Sequence, residues 1–191
     1  MANETDQQRQ DARAKAEAAA QEGDWLSQIL DHHKQIEAAF GAAQSAAAGE
    51  ARTAALKTLG VLLTGHAIAE ESVIYPAIAQ AAGAEADAKA AYAEQAEAKM
   101  AMAALEAIDP KTDAWLDKLA HIKAAVQHHV FEEESQWLLE LKEKAPAATQ
   151  TKLAAAYQEQ FERYMGAEAD SGADWERAAA AMEEARPPAF L

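Results

Sequence analysis

Apolar residues recur along this chain at spacings of three and four, the period of a helix with one buried face. Leu26, Ile29, Ile36 and Phe40 form one stripe, and Leu56, Leu59, Leu63, Val73 and Ile74 a second. Trp115, Leu119, Ile122, Val126 and Trp137 form another, whereas the apolar residues between about 84 and 108 are too scattered to define a face. No window alternates apolar and polar residues as a half-buried strand would.

Punctuation limits these elements. Asp24 can N-cap a helix running to about Ala43, and GAAQSAAAGE reads as a small-residue loop. A second helix is predicted over about 50–82 with Gly83 as its C-cap, and a third over 84–108, ended by Asp109-Pro110. The fourth starts at Thr112 or Asp113 and reaches about Lys144, before Pro146. Four long helices joined by short loops predict an all-α, up-down-up-down four-helix bundle over residues 24–145. Residues 1–23 form a polar segment with a frayed helix expected over 4–22. Residues 146–191 form a C-terminal helical extension, with one helix expected outside the bundle at 149–165 and another at 173–186.

Composition changes this picture in three ways. Alanine inflates the apolar fraction of 50% while aromatics make up only 6%, which favours helices further. A net charge of −15 repels phosphate backbones and anionic lipid, so nucleic acid and membrane surfaces are poor partners. The absence of cysteine removes disulfides, thiolate metal sites and redox thiols together. The N-terminal residues lack the apolar core of a signal peptide and no apolar run approaches membrane-spanning length, so the expected location is the cytoplasm.

The chemistry lies in a repeated pattern. HAIAEES, from His66, and HVFEEES, from His129, both read H-x-x-x-E-E-S. On a helix, positions i and i+4 lie about 40° apart, with Cβ atoms about 5–6 Å from one another. An imidazole and a carboxylate at that spacing reach one small volume. His66 and Glu70 fall within their apolar stripe, His129 and Glu133 on or beside theirs, and His33 near the centre of the first. His32 sits at the stripe's edge, where a supporting or surface role is expected. His121 and His128 are expected in solvent, with His128 able to pair with Glu132. Glu71, Glu132 and Glu134 are expected at the surface or supporting the site, and Trp25, Trp115 and Trp137 in the core. Three helices thus offer a histidine, and two a glutamate, to one interior. Carboxylates there need a cation or a hydrogen-bond network. Nitrogen and oxygen donors without sulfur suit iron, manganese or zinc. Two facing carboxylates further allow two metals to be bridged.

The stretches DHHKQIEAAF, HAIAEESVIYP and HHVFEEESQWL, within about residues 24–144, resemble the hemerythrin-like, HHE cation-binding family. The resemblance implies a bundle holding two non-haem irons, with His33, His66 and His129 as terminal ligands and Glu70 and Glu133 as bridges. Members of the family bind O2, NO or iron, or act as sensors and regulators, so a signalling or stress-related role follows. The third helix departs from the family pattern. Glu94-Gln95 stands where the family usually supplies a histidine, and none occurs between His66 and His121. Tyr92, Glu94 or Gln95 could ligate instead, with Lys99 one turn on. Two other readings remain open at this level. One is a regulator built on a degenerate metal site, whose acidic surface and C-terminal helices meet a basic protein partner. The other is a di-iron redox enzyme, but neither glutamate has the ferritin-like histidine three residues on, and no separate acid–base pair is legible.

Overall fold

The computed structural model describes residues 4–171, with side chains to residue 167. The helix expected at 173–186 lies outside the described residues. The helices are α1 (Asp6–Ala19), α2 (Trp25–Ser45), α3 (Glu50–Ala69), α4 (Tyr75–Ala81) and α5 (Glu85–Glu106). They continue with α6 (Asp113–Glu132), α7 (Leu138–Lys144) and α8 (Ala147–Ser171). A π-helical turn over Glu70–Ile74 joins α3 to α4, and another over Glu133–Trp137 joins α6 to α7. The described residues therefore make six rods, all helical. α2, α3–α4, α5 and α6–α7 pack as successive neighbours and α6 closes back on α2, which completes the four-helix bundle.

Local chemistry sets the rod ends. The Asp24 carboxylate accepts the Ser27 N–H at the start of α2 and also takes a hydrogen bond from Lys142 Nζ. Gly23, Gly49 and Gly83 turn the chain at positive φ (78°, 92° and 70°), which side-chain-bearing residues adopt at a steric cost. Pro76 falls in the first turn of α4, and Pro146 directly precedes α8.

Two expectations need correction. The loop expected from Gly41 begins later, because α2 continues through Gly41 to Ser45. Ala43 is fully buried, and packing of that last turn outweighs the roughly 1 kcal/mol helix penalty of a glycine. The frayed N-terminal helix is instead a docked one. Thr5 and Gln8 form a reciprocal capping box, and Ala12 and Ala16 bury a small-residue face against the bundle.

Packing divides the interior into two apolar clusters. One gathers Ile36, Phe40, Leu59, Trp115, Leu119 and Ile122. The other gathers Trp25, Leu26, Ile29, Ile78, Trp137 and Leu138. Each such side chain contributes about 1.5–3 kcal/mol on burial. The five histidines and glutamates of the predicted site lie between the clusters along the rods: His33 falls between Ile29 and Ile36, and Glu133 between Val126 and Trp137. A polar layer is thus clamped by apolar packing on both sides. Among the described residues no helix is long and apolar enough to cross a membrane.

Candidate metal centre

Both copies of the repeated pattern change helical pitch at the same place. Within Glu70–Ile74 and Glu133–Trp137 the hydrogen bonds run from residue i+5, so Tyr75 N–H donates to Glu70 O and Leu138 N–H to Glu133 O. Widening the turn by one residue breaks the 100° stepping on which the surface expectation for the second glutamates rested. Glu71 and Glu134 are buried at 6% and 2% exposure, beside the fully buried Glu70 and Glu133. That excludes the surface placement expected for both and leaves the supporting one. Glu132, outside the turn, stays partly exposed.

The structure brings together Nε2 of His33, Nε2 of His66 and one oxygen of each glutamate. Suitable atoms of His33, His66, Glu70 and Glu133 all lie within 4.8 Å of one another. His66 Nε2 is 3.1 Å from Glu70 Oε2, and His33 Nε2 is 3.2 Å from Glu133 Oε2 and 4.0 Å from Glu70 Oε1. His33 Nε2, Glu70 Oε1 and Glu133 Oε2 are buried, and none has a hydrogen bond of acceptable alignment. Orphaned buried donors and acceptors are rare, because each forfeits its solvation without replacement. The three that converge here fit a cation, which would take all three as ligands.

The opposite ring nitrogens are all occupied. His33 Nδ1 is 2.7 Å from Glu134 Oε1, His66 Nδ1 is 3.0 Å from the Tyr157 hydroxyl, and His129 Nδ1 is 2.8 Å from Glu94 Oε2. Partners at Nδ1 fix ring orientation and leave Nε2 for a metal. Glu134 is itself held by Arg13 Nε of α1 at 2.6 Å.

The other oxygens of the two central glutamates face a second cluster. The Tyr75 hydroxyl lies 3.2 Å from Glu70 Oε2, 3.1 Å from Glu133 Oε1 and 3.1 Å from His129 Nε2. Gln95 Nε2 donates to Glu70 Oε2 at 2.7 Å and to the Tyr75 hydroxyl. Glu133 therefore presents one oxygen to His33 and one to the Tyr75 side, the stance of a bridge. Glu70 turns Oε1 toward His33 and shares Oε2 among His66, Tyr75 and Gln95.

Electrostatics follow from burial and these pairs. Burial alone would lower the His33 pKa, but Glu133 and Glu134 outweigh it and push it up to about 9. Burial acts the same way on His129, where Glu133, Glu94 and Glu70 prevail and hold the proton well above the usual range. Glu133 stays ionised far below the usual carboxylate range, against its own burial, because His129 and His33 face it. Burial and the nearby carboxylates raise both Tyr75 and Tyr157, so their hydroxyls keep their protons. His32 is pushed down to about 3 by burial and by the neighbouring His66 and His33, and is neutral. Without metal, protons on His33 and His129 balance the carboxylate charge.

The remaining candidates divide by position. Glu94 meets His129 Nδ1, and Gln95 meets Glu70 and Tyr75. The Tyr92 hydroxyl donates to the Glu71 carbonyl at 2.7 Å, which turns it away from the donor set. Nδ1 of His32 meets Tyr157 at 2.8 Å. His121 is exposed and bonds to the Asp117 carbonyl, while His128 is paired with Glu4 near the surface. Sequence reasoning missed Tyr75, Tyr157 and Arg13 as parts of the site, and Glu134 holds the supporting place it allowed. A signal existed for Tyr157: Leu153, Tyr157, Phe161 and Tyr164 form a helical stripe that predicts a face docked on the bundle.

A helical bundle whose mid-layer holds convergent, orphaned imidazole and carboxylate atoms defines a cation-binding protein. The sequence matches the hemerythrin HHE cation-binding domain family over residues 25–141, more than half the chain, and the chain belongs to that family. Its fold is similar to that of a hemerythrin HHE cation-binding domain-containing protein from Mycobacterium kansasii, known from its crystal structure. That match has a TM-score of 0.65 at 20% identity and covers 82% of this chain and 95% of that one. A stretch of 73 residues, 38% of this chain, is 38% identical to a "DNA nickase" from Nostoc sp. (strain PCC 7120 / SAG 25.82 / UTEX 2576). The match spans only 20% of that longer protein.

Proposed function

We propose that this chain is a non-haem iron protein with two adjacent metal positions that binds or senses O2, NO or iron itself. The carrying observation is the arrangement of the three histidines: each has a partner at Nδ1 and turns Nε2 toward the two shared glutamates. His33, His66, Glu70 and Glu133 would hold one metal through atoms already converging. His129 and the Tyr75 oxygen, with the second oxygens of the same glutamates, would hold the other. Gln95 would stay a hydrogen-bond donor to Glu70 in place of the family's histidine. The Tyr75 position requires the metal to displace a strongly held phenolic proton, so it fills second. Manganese or zinc could occupy the same donors, since neither sulfur nor a fixed geometry selects against them.

A small apolar cavity supports a diatomic ligand. A partly open pocket of about 40 Å³ lies beside His66, Gln95 and His129, walled by Leu63, Met102 and Val126. That is room for a diatomic or one to a few waters. Nicking of DNA, the activity for which the Nostoc protein is named, gains no support from a chain of net charge −15.

Anaerobic titration with Fe(II), followed by elemental analysis, tests the reading. Wild type should take up two irons per chain in a tight and a weaker step, and Tyr75→Phe should keep only the tight one. Absence of bound iron in wild type would overturn it.

A further inference from the structure

We propose that the C-terminal helix α8 is a working part of the metal centre, with Tyr157 as a positioning residue that couples docking of α8 to metal occupancy through His66. The inference rests on the metal-binding reading above. It adds an element that lies outside residues 25–141, the part of the chain that the family covers.

Tyr157 is fully buried, and its hydroxyl stands 3.0 Å from His66 Nδ1 and 2.8 Å from His32 Nδ1. A phenol has one proton to donate, so one imidazole must donate to it and the other must accept. His66 can offer a lone pair at Nε2 only with its own proton on Nδ1, directed at Tyr157. The tyrosine then donates to Nδ1 of His32. Of the two assignments that satisfy all three groups, this is the one that leaves His66 Nε2 free for a metal. His33 and His129 take carboxylates at the same ring position, from Glu134 and Glu94. His66 takes a neutral hydroxyl supplied by α8.

The packing around this contact is tight and local. A Cβ on Gly65, the residue before His66, would lie 2.9 Å from Tyr164 Cδ1 and 3.3 Å from Phe161 Cε2. Glycine there lets α8 seat directly on the turn that carries the ligand. Phe161 also stacks on His32 with ring centroids 3.9 Å apart. Anything that reorients His66 is therefore felt by α8, and the coupling is reciprocal by linkage: if docked α8 favours the metal, the metal favours docked α8.

The test compares full-length wild type with Tyr157→Phe and Gly65→Ala, reading anaerobic Fe(II) affinity and backbone amide exchange along α8. Phenylalanine preserves the ring packing, so a purely structural role would leave affinity unchanged. The expected result is roughly 10–100-fold weaker iron binding by Tyr157→Phe, the range typical for partners of metal-bound histidines. Iron should slow exchange in α8 of wild type and lose that effect in Tyr157→Phe. Gly65→Ala, which lifts α8 without removing a polar atom, should weaken binding in the same direction. Wild-type affinity in Tyr157→Phe, or exchange in α8 indifferent to iron, overturns the coupling while leaving the metal centre standing. Failure of wild type to bind iron overturns both.

Discussion

The two copies of H-x-x-x-E-E-S fold alike and are surrounded differently. In each, the first glutamate opens a π-turn, both glutamates are buried, and the histidine sits one turn earlier. Five residues beyond that glutamate the first copy places Tyr75, whose hydroxyl enters the cluster, whereas the second places Leu138, which joins the apolar packing. His66 is supported by the neutral Tyr157, His129 by the carboxylate of Glu94. Glu133 faces two protonated histidines, while Glu70 shares its Oε2 among His66, Tyr75 and Gln95. A repeated sequence thus yields two halves with the same backbone turn and different surroundings, because partners come from elements that are not repeated.

The largest test of this difference is removal of the central carboxylates one at a time. Glu133→Gln should destabilise the metal-free protein by about 3–5 kcal/mol, as expected when a buried charge loses its partner. Glu70→Gln should cost clearly less, with chemical unfolding as the measurement. Equal losses would mean that the two halves are electrostatically alike.

Next in size is the pH response of the metal-free chain. A His33 pKa raised from 6.5 to about 9 corresponds to roughly 3 kcal/mol. A raised pKa stabilises the fold fully below the unfolded value near 6.5 and loses that contribution as pH rises through 9. Urea midpoints should therefore fall between those values, while iron affinity rises as protons cease to compete. At the acid end the sign reverses. Glu133 is held below its ordinary range, so its contribution disappears as pH falls through its folded pKa. A flat midpoint from pH 6.5 to 9 would contradict the proton-balanced cluster.

A smaller change is expected from Glu94→Gln, which replaces the carboxylate behind His129 by a neutral amide. Iron affinity at the second position should drop about 10–100-fold, with little effect on the first. Loss at both positions alike would show that the halves do not divide as described.

The smallest effect should come from the last repeated letter. Ser72 and Ser135 sit at half-buried positions outside the donor set. Alanine at either should shift stability by no more than about 0.5 kcal/mol and leave iron uptake unchanged. Any loss of metal would put the serines inside the site.

Much of this centre was legible in the residues themselves. The stripes of Leu26 to Phe40 and of Trp115 to Trp137 set helix faces, and His33, His66 and Glu70 lay within such stripes. Helix periodicity is local geometry, so it needs no knowledge of the partner rod. Whether Glu71 and Glu134 lie at the surface or support the site was not legible, because ideal periodicity fails where a π-turn inserts a residue. Arg13 and Tyr157 escaped for a different reason. They lie 121 residues from Glu134 and 91 from His66 respectively, and no local rule connects such distances.

The sequence by itself determined the helices and the inward faces on which His33, His66, His129, Glu70 and Glu133 stand, because each depends on spacing within one rod. Tertiary structure alone decided which ring nitrogen each histidine presents and which helices outside the family's span hold those rings. It also decided that Tyr75 rather than Gln95 stands between the carboxylates on the His129 side. Those choices depend on which side chains meet across the packed interior, and hydrogen-bond direction is fixed only once both partners are in place.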